Sequence, residues 1–270
     1  MNLFLLARCP KRAARLQCKK HVPKMLLEAC QQLYCMLHLR GVPLEPFAGP
    51  NGTLVQPYGK THSGHPCVQW ICARTANAVW VLEHAFELVK VLREWQAARG
   101  MSEPIKCEAH LLHLSPLVRA LPTRPRLPGP QLRDLPLGCG SCALAINIEE
   151  YILDAAPPAE HDRIRAYFAA AGPSAVERYR RYYALKATYL VPMCWDFLLI
   201  GERAPPLELR AAFAALDWRA PLPVPEPKPP KAARAPKKST QPKAPTARGT
   251  KRAREELEPP APTALRPRNE

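Results

Sequence analysis

No window of this chain approaches the roughly 18 consecutive apolar residues that a membrane span requires, so no membrane partner is expected. The opening apolar stretch, Leu3–Ala7, is too short for the hydrophobic core of a secretion signal. It runs straight into Arg8, Lys11 and Arg12 and reads as a short buried strand. Without a secretory route the ten cysteines need not form a disulfide framework. Cys18, Cys30, Cys35, Cys67 and Cys72 fall at helical core spacing and read as small reduced hydrophobes. Neither an internal repeat nor a heptad array is present. Acidic residues are scarce, 23 against 39 Lys and Arg, and they form no cluster suited to catalytic divalent ions.

What the chain does have is positive charge, a formal +16 over 270 residues. Residues 1–218 hold 26 basic and 18 acidic side chains, and residues 219–270 hold 13 and 5, so each part carries +8. Such a surplus suits a phosphate backbone, because each neutralised phosphate releases condensed counterions. Prolines divide the chain: residues 219–270 contain 13 of the 33 and almost no bulky apolar groups. That segment cannot offset its ordering entropy by burial, which predicts a disordered tail behind a folded part, residues 1–218.

The folded part reads as a single, mainly α-helical domain behind the short N-terminal strand. A basic helix is expected over 10–20 and a second from about Pro23 to Arg40, stopped by Gly41. The second has an apolar stripe of Met25, Leu26, Ala29, Cys30, Leu33, Met36 and Leu37 at a 3.6-residue period. Turn-forming residues make 41–64 a loop, and Pro66 opens a long helix expected to run to about residue 98. Ile71, Ala78, Leu82, Ala85 and Val89 are one core stripe of that helix; Trp70, Asn77, Trp80 and His84 form a second. A Pro/Arg-rich connection over 115–137 then leads to a strand or short helix near 144–151 and helices near 159–171 and 173–190.

Several constellations can carry chemistry. His21, Lys24 and Glu28 place an imidazole, an amine and a carboxylate on one helical face. Such a trio can move protons around a nucleophilic or Schiff-base lysine, or it is a solvated face with an ordinary i, i+4 pair. Residues 58–66 bring Lys60, His62 and His65 to a helix N-terminus, where free amides attract phosphate; a capping loop is the other reading. His62 and His65 make one H-x-x-H and Cys139 with Cys142 one C-x-x-C, and zinc would need both pairs to meet. A lone C-x-x-C around glycine is also a common tight turn, and neither metal nor cofactor is expected. In the last helix Tyr179, Tyr182 and Tyr183, joined by Trp70, Asn77, Trp80 and His84, can stack on or enclose a base, while Arg180, Arg181 and Lys186 hold phosphates. The same tyrosines can equally be core. Lys19 and Lys20 extend the basic surface. In the tail, Lys237 and Lys238 followed by Lys251, Arg252 and Arg254 have the form of a bipartite nuclear-import signal, or of a nonspecific nucleic-acid-binding arm.

Met1–Phe4, Lys20–Met25, Glu28–Gln31, His65–Cys67 with Trp70, Asn77, Trp80 and His84, and Tyr179–Tyr183 with Lys186 resemble, in this order, a largely uncharacterised family of phage and large-DNA-virus proteins. The resemblance covers residues 1 to about 195. More distantly, the layout resembles the pyrimidine-dimer DNA glycosylases of the endonuclease V type. That resemblance implies an all-helical fold that cuts the glycosylic bond at ultraviolet-damaged pyrimidines through an N-terminal amine, with a glutamate assisting. The chain departs from it in having bulky Asn2, where a small residue is exposed by Met removal, and Glu28 a turn or more beyond Lys20–Pro23.

Charge and resemblance together predict a viral protein of the host nucleus that binds damaged duplex DNA and excises a base. Lys24 or the N-terminal amine would be nucleophile, Glu28 and His21 would manage protons, and His62, His65, Arg180, Arg181 and Lys186 would hold phosphates. The expected partners are DNA and, through the tail, an import receptor. A non-enzymatic DNA-binding protein is the alternative; a metal-dependent nuclease centred on His62 and His65 is a weaker one.

Overall fold

The helical periods read from the sequence become helices, but the segment that opens the chain does not become a strand. The computed structural model describes residues 2–122, 138–139, 146–190, 193, 205–216 and 218. Its helices are α1 (Pro10–Arg15), α2 (His21–Leu39), α3 (Pro66–Ala73), α4 (Thr75–Ala97), α5 (Lys106–Arg119), α6 (Ile148–Leu153), α7 (His161–Ala169), α8 (Ala175–Tyr189) and α9 (Leu207–Ala214). Two antiparallel pairs of two-residue strands accompany them, β1 (Phe47–Ala48) with β2 (Leu54–Val55) and β3 (Gly138–Cys139) with β4 (Ile146–Asn147). These residues all belong to one compact unit, 1–226; the remainder, 227–270, lies outside the described residues. So do the expected tail, with Lys237, Lys238, Lys251, Arg252 and Arg254, and Cys142 of the C-x-x-C pair.

Helix α2 buries its whole expected stripe, from Met25 to Leu37. It packs on α4 and α5, and α4 is the central helix, touching α1, α2, α3 and α5. That position explains why both stripes of the long helical region are buried: Ala78, Leu82 and Ala85 face one set of neighbours, and Trp80 and His84 another. The expected single helix over 66–98 is two, because Arg74 is extended (φ −149°, ψ 140°). The carbonyls this break releases are claimed by side chains. Asn77 Nδ2 donates to the Trp70 carbonyl at 2.7 Å and Arg40 Nη2 to that of Cys72 at 2.8 Å, which removes the cost of leaving them bare. Part of the expected connection over 115–137 is also helical: α5 continues past Pro116 to Arg119. Capping sets other boundaries, with Ser174 Oγ accepting from Glu177 N at the start of α8 and Asn147 from Glu149 N at α6.

Leu3–Ala7 is buried as expected yet pairs with no strand. Phe4 lies among His21 and three α8 tyrosines. Backbone groups of this segment are met by side chains instead of a sheet. Asn2 N donates to Glu28 Oε2 at 2.5 Å, and the Asn2 carbonyl accepts from Gln32 at 3.3 Å. The Leu6 carbonyl accepts from Arg180 at 3.0 Å and that of Arg8 from Trp80 Nε1 at 2.8 Å. A buried main chain needs such partners wherever it lacks a ladder.

Candidate functional site

The site grows from the first half of α2. His21, Lys24 and Glu28 at i, i+3 and i+7 share a face, but the fold treats them unequally. His21 is buried, Glu28 is half-buried and Lys24 is exposed. The Glu28 carboxylate lies between two nitrogens: Oε2 accepts from the main-chain nitrogen of Asn2, and Oε1 is 3.8 Å from the Lys24 ammonium. Gln32, one turn further along α2, holds the same Asn2 peptide by its carbonyl. The start of the chain is thus clamped on both sides by α2.

Behind this clamp, His21 Nδ1 shares a hydrogen bond with the Tyr183 hydroxyl from α8. Burial pushes the imidazole well below its usual pKa, and the ammonium groups of Lys186, Lys24 and Lys20 push the same way. Burial also raises the Tyr183 phenol well above its usual range, so the pair is a neutral one. Lys186 closes the cluster with its ammonium 5.0 Å from the centre of the Phe4 ring and 5.5 Å from that of Tyr182. Three ammonium groups therefore surround a buried imidazole beside one main-chain-bound carboxylate. Chemically, this can attract a phosphate and present a carboxylate next to an amine.

Other expected residues are placed elsewhere. Tyr179, Tyr182 and Tyr183 have no exposed surface, and Trp70, Asn77, Trp80 and His84 are at most 5 % exposed. They are core, so no ring face is open to a base. Trp80 stacks on His84 at 5.3 Å, and burial brings the His84 pKa down to about 3. His84 Nε2 meets Gln17 at 3.1 Å. Arg180 is committed to Leu6 and Glu177, and Arg181 to the Tyr167 carbonyl and ring. His65 is a buried helix cap, its Nδ1 accepting from Cys67 N at 3.1 Å; it offers no surface to phosphate. His62 and Lys60 are exposed, with His62 in the left-handed region at φ 58°. Lys19 lies 5.7 Å over the Trp95 ring, and Lys20 is exposed beside the α2 site. Among the described residues no three His, Cys, Asp or Glu side chains converge as metal ligands.

The sequence reading missed Asn2 as a partner of Glu28 and of Gln32, and missed a second polar cluster altogether. There Tyr34 shares its hydroxyl with His113 Nδ1 at 2.9 Å and His110 Nδ1 at 3.3 Å. Phe47 stacks on His113 at 4.1 Å and Tyr58 on His110 at 4.3 Å. The i, i+3 spacing of those histidines was the available signal, but it has meaning only once α5 is known to be a helix. Compared with protein-family models, with characterised proteins and with solved structures, the chain has no match.

Proposed function

We propose that this protein acts on damaged duplex DNA by base excision, in the manner of the pyrimidine-dimer glycosylase/lyases that its layout distantly resembles. One observation carries the reading: the Glu28 carboxylate sits between the Lys24 amine and the Asn2 nitrogen, beside the ammonium groups of Lys20 and Lys186. The lysines draw in the phosphate backbone. An amine then attacks C1′ of the damaged nucleoside, the glycosylic bond breaks with its electrons leaving on the base, and Glu28 takes the proton released by the attacking nitrogen. The C1′–O4′ bond then opens as Glu28 passes that proton to O4′, and the imine so formed loses a C2′ proton and expels the 3′ phosphate. His21 and Tyr183 act here as a rigid wall that positions α2 against the chain start.

Borohydride reduction of the protein mixed with a duplex carrying an abasic site or a pyrimidine dimer tests this. The expected result is a covalent adduct, and peptide mapping tells Lys24 from Asn2, whose nitrogen is an amine only after Met1 is removed. Duplex binding with no adduct sinks the enzymatic reading.

A specific observation favours the second reading, a non-enzymatic DNA-binding protein. Glu28, Gln32, Arg180 and Trp80 all hold main-chain groups of residues 2–8, a role that needs no chemistry. It predicts that Lys24→Ala and Glu28→Ala leave DNA affinity unchanged, whereas removing residues 219–270 strongly reduces its salt dependence. Either reading places the protein in a host nucleus, with Lys237, Lys238, Lys251, Arg252 and Arg254 engaging an import receptor. Replacing those five by alanine should leave a fluorescent fusion cytoplasmic.

A further inference from the structure

A cleft of about 630 Å3 opens among α7, α8 and the end of α9, lined by Arg163, Ala166, Tyr167, Arg181, Ala215 and Trp218. It shares no residue with the α2 site. Its aromatic wall is fixed by its polar ends. The Tyr167 hydroxyl donates to the Ala212 carbonyl, Trp218 Nε1 donates to the Tyr189 hydroxyl at 3.4 Å, and the two rings meet edge-on at 5.7 Å. Arg181 lies 4.6 Å over the Tyr167 ring and spends one N–H on the Tyr167 carbonyl at 2.7 Å.

Among the described residues the charges of the cleft have no opposite partner, in contrast to those around it. Arg165 pairs with Asp162 at 3.1 Å, Arg178 with Glu149 at 3.4 Å and Arg180 with Glu177 at 2.8 Å. Arg163 and Arg181 have no carboxylate partner among the described residues, and these two are the arginines that face the cleft. Guanidinium forks match phosphate geometry, and Arg181 is already held over the Tyr167 ring by its bond to the Tyr167 carbonyl, so that little freedom is lost on binding. Trp218, half-buried beside them and edge-on to the buried Tyr167, supplies a surface for a flat ring. A purely apolar ligand would leave both guanidiniums unpaired, and a bare anion would leave the aromatic wall uncovered.

We propose that this cleft binds a nucleotide, with its phosphate on Arg163 and Arg181 and its base against Trp218. The cleft does not depend on catalysis at Glu28. The shared chemistry fits a free nucleotide or one nucleotide of a single strand.

The full chain is titrated into a short fluorescein-labelled oligothymidylate, with thymidine monophosphate, thymidine and inorganic phosphate as competitors. Arg163 is exposed and its side chain has no bonded partner among the described residues, so Arg163→Glu should fold normally and weaken oligonucleotide binding by about tenfold. Trp218→Ala should weaken it by at least about fivefold. Competition by thymidine monophosphate, with thymidine and phosphate each much poorer, marks the free nucleotide as ligand. Loss of affinity in both variants without that competition marks a nucleotide within a strand. Wild-type affinity in both variants, or phosphate competing as well as thymidine monophosphate, overturns the proposal.

Discussion

Helix α2 carries a polar, aromatic cluster toward each end, and the two are built from similar parts. Near its start His21 bonds Tyr183 beside Phe4; five residues before its end Tyr34 bonds His110 and His113 beside Phe47 and Tyr58. Burial lowers the imidazole pKa in both. The surroundings differ. At the first cluster Lys186, Lys24 and Lys20 add to that lowering, and Glu28 sits nearby on the chain start. At the second, among the described residues, burial lowers His110 first and the neighbouring His113 adds to it. Histidine and tyrosine in hydrogen-bond contact are thus packing in one place and the back wall of a cationic, carboxylate-bearing site in the other. The cations and the carboxylate make the difference.

The largest effect that probes this contrast is on packing. Phe4→Ala removes the ring around which the first cluster assembles and should cost about 3–5 kcal/mol in urea unfolding; a loss under about 1 kcal/mol would show that the chain start is not part of that wall. Glu28→Gln keeps an oxygen for the Asn2 N–H but cannot take a proton. Borohydride adduct formation should drop by about 100-fold with little change in unfolding midpoint. The matched change in the second cluster, Tyr34→Phe, should cost about 1–3 kcal/mol of stability while adduct yield stays at the wild-type level. A drop in yield there would erase the functional distinction between the clusters.

Acid sharpens it further. His21 and His84 are buried with lowered pKa values, so the unfolded chain takes up their protons first and stability falls as pH falls. Their contribution is complete above the unfolded value of about 6.5 and is lost progressively as the pH falls below it. For His84 the loss continues toward about 3. Denaturant titrations across that range check the slope, and His84→Gln should remove its share. The smallest effect is expected from Lys20→Ala: stability unchanged, and the slope of log affinity against log salt reduced by about 0.9. An unchanged slope would take Lys20 out of the DNA-facing surface.

Much of the fold was legible because helical periodicity is a local property. The stripe from Met25 to Leu37 predicted α2 to within about two residues at either end, and the S-x-x-E run at Ser174 and Glu177 marks the start of α8. The break at Arg74 was not legible, since no proline or glycine marks it; Asn77 and Arg40 stabilise it from a distance. Pro116 misled in the other direction, because α5 needs only a few residues beyond it. Within the site, the His21, Lys24 and Glu28 face was visible from spacing alone. That Trp80 and Arg180 bind the main chain of residues 6–8 was not, because their partners lie 72 and 174 residues away.

The sequence alone determined the helical class, the basic charge and the face of α2 on which amine and carboxylate meet, since composition and period add up along the chain. Only the tertiary structure decided that Glu28 reaches Asn2, that the tyrosines of α8 are core and that Arg163 and Arg181 face one cleft. Those outcomes depend on which buried polar group finds a partner across the fold, and an unpaired buried group costs too much for the choice to be made locally.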